Sequence, residues 1–157
     1  MKSNNKEKAA ENNITDLVVP QRRRVIQERE FAGCDDIHTV TMPDSISVIK
    51  KEAFAFCRNL ETVNLSNKLK TIEAMAFYNC YNLKSITLPE GLESIGESAF
   101  FKCFELESLV IPKSMKTIGL DAFGMCQKLS VVKMAKTTDI SNMPFLHDNH
   151  AKIEYYE

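Results

Sequence analysis

The sequence has no tryptophan, only five glycines and five prolines among 157 residues, three histidines, and no long uninterrupted apolar run. Each shortage excludes something. Without tryptophan, one of the strongest hot-spot residues is missing from any binding surface. The few glycines form no phosphate-cradling loop. A membrane-spanning helix needs about 20 mostly apolar residues, and no stretch of this chain approaches that. Charge of one sign is lacking too. Twenty basic against 21 acidic residues leave a net charge of −1, so no field exists to draw in nucleic acid or an anionic membrane. The densest basic run, Arg22-Arg23-Arg24, is followed by Glu28 and Glu30 and reads as a solvated turn. The N-terminal residues MKSNNKEKAAENN lack the apolar segment of a secretory signal. As encoded, the chain is expected in the cytoplasm; a leader already removed would leave the same sequence on a secreted or cell-surface protein.

What is present is a repeat. Cys34, Cys57, Cys80, Cys103 and Cys126 stand 23 residues apart, and Phe31, Phe54, Phe77, Phe100 and Phe123 keep the same step. So do Ile26, Ile49, Ile72, Ile95 and Ile118, with Leu60, Leu83, Leu106 and Leu129 following the cysteines. A fixed period of this length marks a solenoid, in which one coil cannot bury its apolar face alone.

The spacings describe the coil. In SITLP (85–89), Ile86 and Leu88 alternate with polar neighbours as in a strand. Pro43, Pro89 and Pro112 end that strand, since proline has no N–H for the ladder. A second short extended piece, LESI or LKTI, leads to Gly96 and Gly119, where a sharp bend is expected. In ESAFFKC, Ala99, Phe100 and Cys103 have the spacing of one helix face, so about two helical turns are expected there. Leu83, Ile86, Leu88, Leu92, Ile95, Ala99, Phe100 and Cys103 should all point inward.

The pattern LxxIxLPxxLxxIGxxAFxxC resembles the BspA-type leucine-rich repeat, a variant common in surface proteins of bacteria and of some parasitic protozoa. It covers residue 14 to about residue 135, with five recognisable units and a decayed sixth. The resemblance implies a right-handed solenoid with a parallel sheet on one face, and a role in binding other macromolecules. The expected fold is thus an α/β leucine-rich-repeat solenoid of about five to six 23-residue coils, with a parallel β-sheet on one face and short helical turns on the other.

Residues 1–13 are polar and expected to form a disordered tail, with the solenoid spanning 14–157. Within it, 14–36 form a cap-like first repeat, 37–128 the regular repeats and 129–157 a degenerate C-terminal cap. In the first unit Arg23 replaces the apolar residue of later coils and Glu30 replaces Ala53, which gives the exposed end a polar face. In the last unit the cysteine is lost, and Phe145 follows Phe123 by 22 residues. IEYY (153–156) is expected to supply a final strand whose aromatics cover the last coil.

Chemistry-bearing motifs are sparse. The cysteine spacing matches no CxxC zinc motif. A column of buried thiols is expected, although disulfides between neighbouring coils are geometrically conceivable. The string HDNH (147–150) offers two histidines and an aspartate, too few ligands for a defined metal site, and reads as a solvated turn. No GxSxG, HExxH or cysteine–histidine pairing appears, so the chain is expected to be non-catalytic and to need no cofactor.

The outward strand residues remain. Thr39, Thr62, Ser85 and Ser108 should form one row and Thr41, Asn64, Thr87, Val110 and Lys133 the next, a flat polar face suited to a protein or a glycan. His38, Glu61, Lys84, Glu107 and Ser130 form a third row of alternating charge. Tyr78, Tyr81, Phe101 and Phe104 form a second candidate surface: either an exposed apolar patch or rings that pack on one another and shield the core. The expected function is non-catalytic binding of a macromolecular partner, with surface adhesion and homo-oligomeric self-assembly as alternatives, and with no nucleic acid or membrane insertion.

Overall fold

The computed structural model describes residues 15–145 and 150–157. The expected tail at 1–13, and His147 and Asp148 of the HDNH string, lie outside the described residues. Among the described residues, twelve short strands follow one another. They are β1 (Asp16–Val18), β2 (Val25–Ile26), β3 (Thr39–Thr41), β4 (Val48–Ile49), β5 (Thr62–Asn64), β6 (Thr71–Ile72), β7 (Ser85–Ile86), β8 (Ser94–Ile95), β9 (Ser108–Val110), β10 (Thr117–Ile118), β11 (Val131–Ala135) and β12 (Lys152–Tyr156).

Each coil has three sides. The first is built from β1-β3-β5-β7, continued by β9-β11-β12, with β7 lying against β9. The second is the five-stranded row β10-β8-β6-β4-β2. All pairings are parallel, and a residue generally meets its counterpart 23 positions on, such as Val40 with Val63 and Ile49 with Ile72. The single sheet expected is therefore two, because the piece following each turn also pairs with its neighbours.

The third side corrects the expected helical turns: no helix occurs among the described residues. In ESAFFKC the backbone amides alternate. Those of Ala99, Phe101 and Cys103 donate to carbonyls three residues back, in tight turns. Those of Ser98, Phe100 and Lys102 donate to Leu120, Ala122 and Gly124 of the next coil at 2.7–3.0 Å. An α-helix would turn every amide inward along its own axis; here half of them bind along the stack. The left-handed residues that make this possible recur on the period: Arg29, Glu52, Met75, Ser98 and Asp121, then Gly33, Phe56, Asn79, Lys102 and Met125. Each non-glycine member costs about 1–2 kcal/mol in backbone conformation, offset by the hydrogen bonds between coils. Ala99, Phe100 and Cys103 are buried all the same, so side-chain spacing alone could not distinguish the two backbones.

The inward set is as read: Leu83, Ile86, Leu88, Leu92, Ile95, Ala99, Phe100 and Cys103 are all buried. Phe31, Phe54, Phe77, Phe100, Phe123 and Phe145 form one stack with ring centroids 5.1–5.5 Å apart. The step of 22 residues at Phe145 is absorbed without a break in this stack. Gly96 and Gly119 serve a purpose other than bending. A Cβ at Gly96 would lie 2.4 Å from the nitrogen of Ala74, and one at Gly119 2.3 Å from that of Glu97, so the backbone runs hard against the preceding coil. Lys50 and Glu73 hold the same place in earlier coils, which makes the approach local to the later ones.

Candidate functional site

The cysteines are placed by the turns that close each third side. Cys57, Cys80, Cys103 and Cys126 are buried and Cys34 is half-buried, and none of the five forms a disulfide. The four buried thiols donate to the carbonyls of Phe31, Phe54, Phe77 and Phe100 at 3.1–3.4 Å. Desolvation pushes the Cys57 thiol up to about 12, and burial raises Cys80 and Cys103 well above the ordinary range. Such thiols are neutral and poor nucleophiles. Among the described residues no three histidine, cysteine or carboxylate side chains gather as a metal site would require.

The first side presents the polar rows. Strand registry aligns Thr39, Thr62 and Ser85, with Ser108 beside Val131, and it aligns Thr41 with Asn64 and Val110 with Lys133. Thr62, Asn64, Ser85, Thr87, Ser108 and Lys133 are exposed, while Thr39 and Thr41 are half-buried. The Asn64 amide donates to Thr41 Oγ1 at 3.2 Å, so part of this row is already internally bonded. Apolar Val110 and Val18, 52% and 67% exposed, interrupt and end it. In the third row Lys84 and Glu61 bond at 2.6 Å; the pairing lowers the Glu61 carboxyl and raises the Lys84 ammonium, in each case chiefly through their hydrogen bond.

The aromatic residues lie on the third side. Tyr78 stacks on Phe101 at 5.5 Å and 7°, and Tyr81 on Phe104 at 5.0 Å and 17°. All four are half-buried. Sequence reading missed Phe56, 39% exposed, which meets Tyr78 edge-on and extends the column by a coil. Its signal was available, since Phe56 stands 22 residues before Tyr78 and one place beside Ala55 in Tyr78's own row. The rings spend their faces on one another. Lys102 adds its ammonium over Phe101, 5.7 Å from the ring centre.

The second side carries a feature the sequence did not suggest, a shallow open depression of about 390 Å³ floored around Gly96. Thr71, Ser94 and Thr117 line it beside Lys51 and Glu73. Ser94 Oγ donates to Thr71 Oγ1 at 3.2 Å, and Glu73 is engaged by Lys50 at 2.7 Å. It is a dent between coils that encloses no reacting group.

Comparison with known proteins agrees with this geometry. The signature of the BspA type leucine-rich repeat region matches in six copies over residues 6–153. The chain belongs to that family. Among solved structures, this BspA-type protein resembles a T. pallidum leucine-rich repeat protein at 31% identity and a TM-score of 0.76, covering 78% of this chain and 59% of that one. A leucine-rich cell surface protein from Faecalibacterium prausnitzii matches at 28% identity and 0.74, covering 88% of this chain and 36% of the other. A Bacteroides ovatus leucine-rich repeat protein shares the fold at 23% identity and 0.73, with 92% and 43% covered. The chain thus spans three-fifths or less of the length of these relatives. No curated protein matches the sequence significantly.

Proposed function

We propose that this BspA-type solenoid is a non-catalytic interaction module that holds a macromolecular partner, a protein or a glycan, on the outward face of its first side. The observation supporting this is the registry of that face: short polar side chains, Thr39, Thr62 and Ser85 in one row and Thr41 and Asn64 in the next, on parallel strands. Rows fixed by the backbone lose little entropy on binding, and so preorganise donors and acceptors for an extended surface. The depression on the second side is too open to exclude water from a reaction, which favours binding over catalysis. Kinship with a protein described as a leucine-rich cell surface protein supports action at the cell surface over the cytoplasmic placement suggested by the N-terminal residues.

The test is binding of the intact chain to arrayed glycans and extracellular proteins, beside a variant carrying Thr62→Lys and Ser85→Lys. These exposed positions tolerate lysine, and binding should fall about tenfold or more. An unaffected variant would move the site elsewhere. Wild-type protein that bound nothing on a broad panel would count against the module itself.

A further inference from the structure

The aromatic residues of the third side are not needed to close the core. In the row that holds Tyr78 and Phe101, the flanking coils carry Ala55 and Gly124; in the row of Tyr81 and Phe104 they carry Arg58 and Gln127. The core beneath those small and polar residues is sealed all the same, with Phe54, Cys57, Phe123 and Cys126 each 0% exposed. Covering the core therefore does not account for four rings in two adjacent coils. Exposed Phe56 and half-buried Met125 border them, in the column that also holds Lys102. Aromatic residues and methionine are the types enriched where proteins meet one another.

Charge narrows the partner. Arg29, Arg58 and Lys128 on this side reach the carboxylates of Glu52, Asp35 and Glu105, at 3.3, 3.5 and 2.6 Å. Lys102 reaches none among the described residues, and its ammonium stands 5.7 Å from the centre of the Phe101 ring. Stacking uses the ring faces within each pair and leaves the ring edges, the positive end of the aromatic quadrupole, to face outward. Both features favour a carboxylate.

Size narrows it further. Coils stack about 5 Å apart, and three residues across a side span at most about 10 Å. A stable dimer buries about 800 Å² on each partner. By itself the patch is too small to hold a second solenoid, and it matches a few residues of a partner chain. A glycan would need hydrogen-bond partners for its hydroxyls as they leave water, and this apolar surface offers few.

We propose that the third side is a second interaction surface, which takes a short segment of a partner protein. The segment brings large apolar side chains to the Tyr78–Phe101 and Tyr81–Phe104 pairs and a carboxylate to Lys102. This surface is separate from the first side and does not rest on the function proposed there.

The experiment is selection of displayed short random peptides on the intact chain, followed by titration of the synthesised winners against variants. Phe104→Gln copies Gln127 and Lys102→Met copies Met125, so both keep residues that flanking coils already accommodate; Lys102→Glu reverses the charge. The expected winners carry an acidic residue beside large apolar ones. Their binding should weaken about tenfold or more in Phe104→Gln and in Lys102→Glu, and less in Lys102→Met. Thr62→Lys with Ser85→Lys should bind them as wild type does, which separates this surface from the first side. Circular dichroism confirms folding, and Tyr81→Arg, which copies Arg58, replaces Phe104→Gln should that variant unfold. A selection that yields no binder would overturn the proposal. So would winners indifferent to Phe104→Gln and Lys102→Glu, or winners lost in the first-side variant. A wild-type dimer in sedimentation that Phe104→Gln breaks would give the face to a second copy and overturn it equally.

Discussion

Phe77 lies fully buried between Phe54 and Phe100, with ring centroids 5.3 and 5.1 Å away. Truncation to alanine removes a ring from the middle of the column, and the coils on either side cannot collapse without breaking their own hydrogen bonds. Phe77→Ala should therefore cost about 3–5 kcal/mol, read as a lower midpoint in urea; an unchanged midpoint would refute the packing. Asn79 sits at φ 60°, where Gly33 stands in the first coil, and its buried Oδ1 accepts no hydrogen bond. Asn79→Gly should be within about 1 kcal/mol of neutral, while Asn79→Val should lose about 1–3 kcal/mol, because a β-branched residue resists that conformation. For the thiols, an ordinary cysteine titrates near 9.0, and buried Cys57 has been raised to about 12. The unfolded chain then releases its proton first as pH rises. Stability from this group is intact below about 9 and is lost towards about 12. Denaturation measured from about pH 8 to about pH 11 should fall more steeply in wild type than in Cys57→Ala; parallel profiles would dismiss the effect.

At the scale of the element, the third side decides the character of the coil. The left-handed residues there include Phe56, Met75, Lys102 and Met125, types with no special liking for that conformation. The array is imposed by the stack, since only in the presence of the next coil do Ser98, Phe100 and Lys102 find carbonyls to bond. Composition could not announce it. A seven-residue segment is too short to be a stable helix by itself, and that was the available warning. Far-UV circular dichroism should show no helical component. The amides of Phe54, Phe77 and Phe100, each donating to the next coil at 2.7–2.8 Å, should exchange with deuterium as slowly as those of β5 and β6. Rapid exchange at these amides would restore the helical reading.

For the whole molecule, the first described coil departs most from the residues that its neighbours repeat. Arg23 and Glu30 occupy positions that are apolar in later coils, and the Glu30 side chain is only 8% exposed. The bond to Glu30 raises the Arg23 guanidinium further, so the arginine stays charged. Glu30→Ala alone should cost about 1–3 kcal/mol by stranding the guanidinium. Replacing both, Arg23→Ile with Glu30→Ala, should recover that loss and expose an apolar end. The double variant should therefore be as stable as wild type but sediment as higher oligomers. A stable monomer would show that the pair is dispensable to solubility.

Residue by residue, the 23-residue period determined which side chains point inward, that they stack in columns, and that Pro43 and Pro112 end their strands. These follow from sequence because burial of apolar surface depends on spacing and residue type, both of which are written in the chain. The period also placed Tyr78, Tyr81, Phe101 and Phe104 on neighbouring coils. What it left open was settled by hydrogen bonds running between coils. They turn the third side from helix into left-handed turns, make a second sheet out of pieces two residues long, press Gly96 against Ala74, and use the aromatic faces on one another. Backbone donors and acceptors are the same in every residue, so no side-chain pattern records where they bond. Only the stacked coils supply the partners.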